Sequence, residues 1–234
     1  ERIYRIMKRS IWALTEQIRH GTFKPAGYEV DFVQVNELNV ENMMLDAEHK
    51  MRLIGKIDRM DTRETEDAVY VRIIDYKSGK TTFQLLNLYY GQQLQLVVYL
   101  NAAMEQLKKT HPGKEIVPAG IFYYRMDDPM VDADGEDGEK IMEHILSELR
   151  LNGLISLEPE VYQQMDVGLA GRSEVLPLTL KTDGTPAKKG TSGAGRRDFQ
   201  AMTAFVNRKI CDAAEKILSG DIDIRPFQME QKTG

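Results

Sequence analysis

Ile3, Met7, Ile11, Leu14 and Ile18 recur at steps of four, four, three and four, drawing one apolar face of a helix already under way at Glu1. A helix running at the first residue reads as part of a longer chain, so residues 1–22 are expected to lead into a single domain over residues 23–234. Gly21 and Pro25 punctuate, and Tyr28 to Val35 then alternates as a strand does. Met51 to Asp61 and Val69 to Tyr76 are further β-rich runs joined by the acidic segment Thr62 to Asp67, the pattern of an antiparallel pair. Leu94, Val98, Ala102 and Leu107 predict a helix over Leu88 to Lys109, ended before His111-Pro112-Gly113. Ile116 to Arg125 returns to strand character despite Pro118 and Gly120, and an acidic loop is expected over Asp127 to Glu139. Lys140 to Leu151 predicts a short helix, and Phe199 to Leu218 a last one closed by Gly220. The order α-β-β-β-α-β predicts a three-layer α/β domain with a mixed central sheet rather than a regular βαβ winding.

Composition narrows the partners more than the fold. Hydrophobic residues at 42% and charged residues at 29% of 234 positions exclude disorder and rod-like architectures. A net charge of -5 excludes a wholesale basic nucleic-acid binder, so any DNA contact must be local or shared with a partner. The lone Cys211 excludes an intramolecular disulfide and a multi-cysteine metal site, which fits a reducing compartment and hence the cytoplasm. No apolar run approaches the roughly 18 residues of a membrane helix, so no membrane partner is expected. Lys181 to Arg197 carries four glycines and five basic residues against one acidic, and is expected to be mobile, either as a solvated loop or as a basic flap over a phosphate backbone.

Two motifs resemble ligand sites and fail on spacing. Ser78-Gly79-Lys80-Thr81-Thr82 looks like the end of a phosphate-binding P-loop, but the position that needs the earlier glycine is Ile74. Asp132 to Glu143 has acids where a calcium loop needs several of them, but its sixth position is Asp137 instead of glycine.

Chemistry concentrates in Gly55-Lys56-Ile57-Asp58-Arg59-Met60-Asp61 and Ile73-Ile74-Asp75-Tyr76-Lys77-Ser78-Gly79. Residues two apart in a strand share a face, so Asp75 and Lys77 present a carboxylate and an ammonium side by side. If the two strands pair across a short connection, Asp58 converges on Asp75, and such hard oxygen ligands suit Mg²⁺ or Mn²⁺. The bland alternative is a surface ion pair at a strand end. Gln95 and Tyr99, four apart, share one helix face.

Together, Gly55 to Asp61, Asp75 to Gly79 and Gln95 to Tyr99 resemble the PD-(D/E)XK nuclease superfamily, in its RecB-like branch. Leu151-Asn152-Gly153-Leu154, Ile217 to Ile222 and Ile224-Arg225-Pro226 are similar to the AddB-type (RexB-type) nuclease domains of bacterial helicase-nucleases, and the similarity runs from about Phe23 to Phe227. The resemblance implies a restriction-endonuclease-like core and Mg²⁺- or Mn²⁺-dependent cleavage of DNA. Asp58, Asp75 and the backbone carbonyl of Tyr76 would bind metal, Lys77 would orient or activate the attacking water, and Gln95 and Tyr99 would position the DNA or the lysine. Glu29 matches the acidic residue that this branch carries on its first strand, as a further or water-mediated ligand. The implied activity is an exonuclease on single-stranded DNA, degrading the 5'-ended strand in double-strand-break repair beside an AddA-type helicase-nuclease subunit. AddB-type domains also carry four cysteines around an iron-sulfur cluster. Cys211 alone cannot hold one, so the cluster is expected in a longer subunit and not in this chain. His20 is read as a helix cap rather than as the histidine of the RecB-like pattern. The competing reading is a noncatalytic DNA-binding or scaffolding module of the same complex; a third, a calcium-regulated module, would rest on Asp132 to Glu143.

Overall fold

Ala68–Lys77 forms the central strand, β3, because both of its faces are apolar: Val69, Val71 and Ile73 pack on one side, Ala68 and Ile74 on the other. A strand covered on both faces reads as a continuous apolar run rather than an alternation, which is how it stands in the sequence. The computed structural model describes residues 1–32, 53–131, 137–221, 223, 228–229 and 232–233. Before β3 come helix α1 (Arg2–Arg19) and strands β1 (Lys24–Asp31) and β2 (Lys56–Glu64); after it come α2 (Leu85–Tyr89), α3 (Gln95–Thr110) and β4 (Glu115–Arg125). Then follow α4 (Gly138–Glu148), β5 (Asn152–Ser156), α5 (Pro159–Met165), β6 (Gly193–Ala194), α6 (Arg196–Leu218) and a small pair, β7 (Gln228–Met229) and β8 (Lys232–Thr233).

The main sheet has the order β1-β2-β3-β4-β5-β6. β1, β2 and β3 form an antiparallel meander, β4 joins β3 in parallel through α3, β5 runs antiparallel to β4, and β6 lies parallel to β5. α3 and α6 cover one face, while α1, α4 and α5 cover the other, so the expected three-layer α/β arrangement with a mixed sheet is what the chain adopts. The β3–β4 ladder shifts register beside Pro118, which has no N–H to donate.

Four sequence expectations change. In α1 the first half of the apolar stripe faces outward: Ile3, Met7 and Ile11 are 75%, 57% and 63% exposed, while Ser10, Ala13 and Gln17 are buried and Leu14 packs against the core. Small Ser10 and Ala13 admit a close approach to the sheet, and Gln17 Nε2 donates to the Leu149 carbonyl at 3.2 Å. The helix expected over Leu88 to Lys109 is two helices, because Gly91 adopts φ +85° and stops α2. The helix expected to end at Leu151 stops at Glu148, and Asn152–Ser156 pairs with β4 instead. Lys181 to Arg197, expected to be mobile, is tied down: Ala187 N–H donates to Thr179 O at 2.7 Å and Ser192 N–H to Pro177 O at 2.9 Å, before β6 pairs with β5 and Arg196 opens α6. The ends of the strands expected to reach Val35 and to start at Met51, the calcium-like loop around Asp134, and Ile224-Arg225-Pro226 lie outside the described residues.

Gly153 sits where β5 presses against β4, and a Cβ there would run into the Ile121 carbonyl oxygen. Gly153→Ala is therefore expected to cost about 1–3 kcal/mol, read as a lower denaturant midpoint; an unchanged midpoint would contradict this close approach.

Candidate active site

The register of the sheet builds the site. β2 and β3 pair Arg59 with Ile74, and one step further sets Asp58 opposite Asp75. β3 and β4 pair Asp75 with Tyr123, and β4 and β5 pair Tyr123 with Asn152. One row of partners thus crosses the sheet from Asp58 to Asn152. Asp75 and Lys77 lie on the same face as Val71 and Ile73, under α3.

Asp75 is 1% exposed. Lys77 Nζ stands 2.6 Å from its Oδ2 as an ion pair, but off the direction of a hydrogen bond, so Oδ2 is a buried acceptor with no hydrogen-bond partner. Lys77 Nζ donates instead to Gln95 Oε1 at 3.1 Å, and Gln95 Nε2 donates to the Tyr99 hydroxyl at 2.7 Å. The ammonium also lies 5.4 Å from the centre of the Tyr123 ring, and the Tyr99 ring meets Phe32 edge-on at 5.6 Å. Asp58 Oδ2 accepts the Tyr76 backbone N–H at 2.9 Å, which holds its carboxylate against β3 just past the last paired residues.

Burial pushes the Asp75 carboxyl above the usual range, Lys77 pulls it back, and the nearby Asp58 charge adds to the rise. Burial, with Asp75 and Tyr99 adding, also raises the Tyr123 phenol to about 12, so Tyr123 is a neutral wall rather than a base. A carboxyl whose folded pKa is raised favours the fold fully below its unfolded pKa, and that contribution is lost as pH rises through the folded pKa. Asp75→Asn is accordingly expected to raise the melting temperature at neutral pH, by roughly 2–4 °C per kcal/mol regained, and to flatten its fall with pH above the acid range. A lower melting temperature for Asp75→Asn would contradict this account of the buried charge.

Glu29 is not brought into the cluster. It lies in β1 between Tyr28 and Val30, whose partners Arg59 and Ile57 bracket Asp58, but its backbone turns to φ +49° and its exposed carboxylate stands 3.8 Å from Lys56 Nζ. Among the described residues no three His, Cys, Asp or Glu side chains gather as a ready-made metal cage. Tyr76 joins the site through its N–H, while its ring packs edge-on against Tyr124 at 6.0 Å. His20 caps α1, with Nδ1 3.1 Å from Asp166 Oδ1; Asp137 caps α4; Cys211 is half-buried in α6.

Behind the site lies a cluster that the sequence motifs do not include. Asp61, fully buried, accepts from Arg59 Nε at 2.6 Å and Nη2 at 2.8 Å, and from Arg72 Nε at 2.9 Å. Arg72 also covers the Phe23 ring at 5.3 Å. Arg72 inside the otherwise apolar run of β3 was the available signal, since such a residue stays buried when paired.

A mixed sheet with two carboxylates set opposite each other on adjacent strands and a lysine two residues beyond the second is the core of a class of nuclease. Residues 1–229 match the model of the PD-(D/E)XK nuclease superfamily, and the chain belongs to that superfamily. It is similar to proteins named as the B subunit of an ATP-dependent helicase/deoxyribonuclease: 37% identical over 234 residues in Thermoanaerobacter pseudethanolicus, covering 100% of this chain and 20% of the relative. The corresponding protein of Clostridium kluyveri is 34% identical over 235 residues, with 100% and 20% covered. That of Caldanaerobacter subterraneus is 38% identical over 234 residues, with 99% and 20% covered. The chain thus spans about a fifth of the length of the curated relatives it matches. No helix among the described residues is long and apolar enough to cross a membrane.

The donor set fits a hard divalent cation. Asp75 Oδ2 is a desolvated acceptor lacking a hydrogen-bond partner, and Asp58 adds a second carboxylate from the neighbouring strand. A cation there would counter the burial that chiefly raises the Asp75 carboxyl, and with it the smaller repulsion by Asp58.

Proposed function

We propose that this chain is a metal-dependent deoxyribonuclease domain that hydrolyses phosphodiesters of single-stranded DNA as part of a cytoplasmic helicase-nuclease, beside an AddA-type partner. The observation that carries the reading is the buried Asp75 Oδ2 lacking a hydrogen-bond partner, set opposite Asp58 with Lys77 beside it. The names of the relatives support the DNA substrate and the helicase context.

Asp58 and Asp75 would hold Mg²⁺ or Mn²⁺, together with the Tyr76 carbonyl. When bound, the ion would supply Lewis-acid polarisation of a phosphate oxygen and a lowered pKa for a water. Lys77 sets a fixed positive charge where negative charge grows on the phosphate and orients the attacking water. Gln95 accepts a hydrogen bond from Lys77 and so aims the ammonium. The Tyr99 oxygen is engaged as an acceptor from Gln95, which frees its own O–H to donate to the DNA strand.

Incubation of the chain with end-labelled single-stranded DNA in Mg²⁺ or Mn²⁺ tests this. Cleavage that needs the metal and stops with a chelator is the expected result. Metal-supported DNA binding without cleavage would favour the noncatalytic module.

A further inference from the structure

The row that carries Asp58 and Asp75 continues past Tyr123 to Asn152, and beyond that shared wall opens a cavity of about 500 Å³. Its rim is basic: Lys80 from the loop after β3, Arg125 from the end of β4 and Arg150 from the segment between α4 and β5, faced by Thr191 on the far side. Arg125 is matched by Asp127, and Glu148 is the one carboxylate on the rim among the described residues. Lys80 and Arg150, by contrast, make no hydrogen bond or ion pair among the described residues. Burial and the like charge of Arg172 draw the Arg150 pKa down, and the weaker attraction of Glu148 does not make up for them.

Loop and wall are built rather than draped. Asn152 Oδ1 accepts the Phe83 N–H at 2.7 Å, and Gln93 accepts the Gln84 N–H and donates to Thr82 O, each at 2.9 Å, so the loop carrying Lys80 is fastened on its far side. Thr191 is fixed by donating to Thr179 O and accepting the Thr179 N–H, both at 3.1 Å. Two cations without an ion pair among the described residues, on a fixed polar trough beside a site for a phosphodiester, match the repeating negative charge of a nucleic-acid backbone. Strands lie about 4.8 Å apart, so the trough runs from Tyr123, ~5 Å from Asp75, past Asn152 at ~10 Å, a reach of about one to three nucleotides of a stacked strand.

We propose that this trough is a backbone track, in which Lys80 and Arg150 bind phosphates of the single strand a few nucleotides from the bond to be cut. The P-loop look-alike around Lys80 and the basic segment through Thr191 then serve one role, as two banks of the same groove. The proposal rests on the nuclease reading for the direction of the strand, but not for the binding itself.

The test is anisotropy of a labelled oligothymidylate in a chelator, so that nothing is cut, with affinity followed against salt. Lys80→Ala/Arg150→Ala is expected to lower the slope of log affinity against log salt by about 1.4, at about 0.7 for each phosphate of a single strand that is no longer neutralised. Lys140→Ala/Lys216→Ala removes the same charge from exposed positions on α4 and α6, outside the trough, and is expected to leave the slope unchanged. Arg150→Lys is expected to keep it. Equal effects from both double variants, an unchanged slope in the first, or no binding by the unaltered chain each overturn the track. Cleavage by the unaltered chain reports separately: binding through Lys80 and Arg150 with no cutting in metal overturns the nuclease reading and leaves the track standing.

Discussion

Lys77→Ala is expected to slow metal-dependent cleavage of single-stranded DNA by about 10²–10³-fold, the usual loss when one preorganised charge is taken from a developing oxyanion. The side chain is held from three sides, by Asp75, by Gln95 Oε1 at 3.1 Å and by the Tyr123 ring, so under the proposed function its charge would meet the reacting phosphate already oriented. Its removal leaves Asp75 without the cation that draws its pKa down, and weakens the carboxylate as a metal ligand as well. DNA affinity should change little, since a single phosphate contact is a small part of a salt-dependent interface. Single-turnover cleavage and anisotropy on the same protein separate the two effects. Cleavage within about threefold of the unaltered chain, far inside the expected loss, would remove Lys77 from the chemistry.

Asp61→Ala is expected to be the costliest single change to stability, at about 3–5 kcal/mol, because it leaves two buried guanidinium groups without their shared carboxylate. For a domain of this size that is a fall of roughly 6–20 °C in melting temperature. Replacing Arg59, Asp61 and Arg72 together by apolar residues of similar volume should cost far less, since it removes the desolvated charges along with their attraction. Thermal unfolding of both variants decides it. A fall of less than about 2 °C for Asp61→Ala would mean that water reaches the guanidinium groups.

The three strands before α2, the antiparallel pairing of β2 with β3, and the pair Asp75 and Lys77 were legible because strand period and apolar runs are local properties of the sequence. What the period of a helix cannot tell is which side meets the sheet: in α1 the first half of the apolar stripe is turned out and Ser10, Ala13 and Gln17 are turned in. Gly91 ended a helix through its backbone conformation, a choice that glycine permits but does not announce. Lys181 to Arg197 looked mobile because glycine and charge resemble a linker, whereas its order comes from hydrogen bonds to Pro177 and Thr179 and from pairing with β5. Glu29 fell on the right stretch of β1, yet its φ of +49° sends the carboxylate toward Lys56, a detour that residue type does not encode. The Asp61 cluster and the basic trough depend on register between strands, which a single sequence leaves open.

Arg72 and Asp75 lie three residues apart on β3, an odd interval, so one belongs to the ion cluster behind the sheet and the other to the face under α3. The strand therefore works as a parity code. One residue inserted between them would turn Asp75 and Lys77 into the layer beneath α1 and carry an apolar neighbour to the α3 face. Two residues would restore the parity but displace Asp75 from Asp58 and Tyr123. Changes of length are tolerable in the turn at Thr65 to Asp67, which lies outside the ladder, and not within the ten residues of β3.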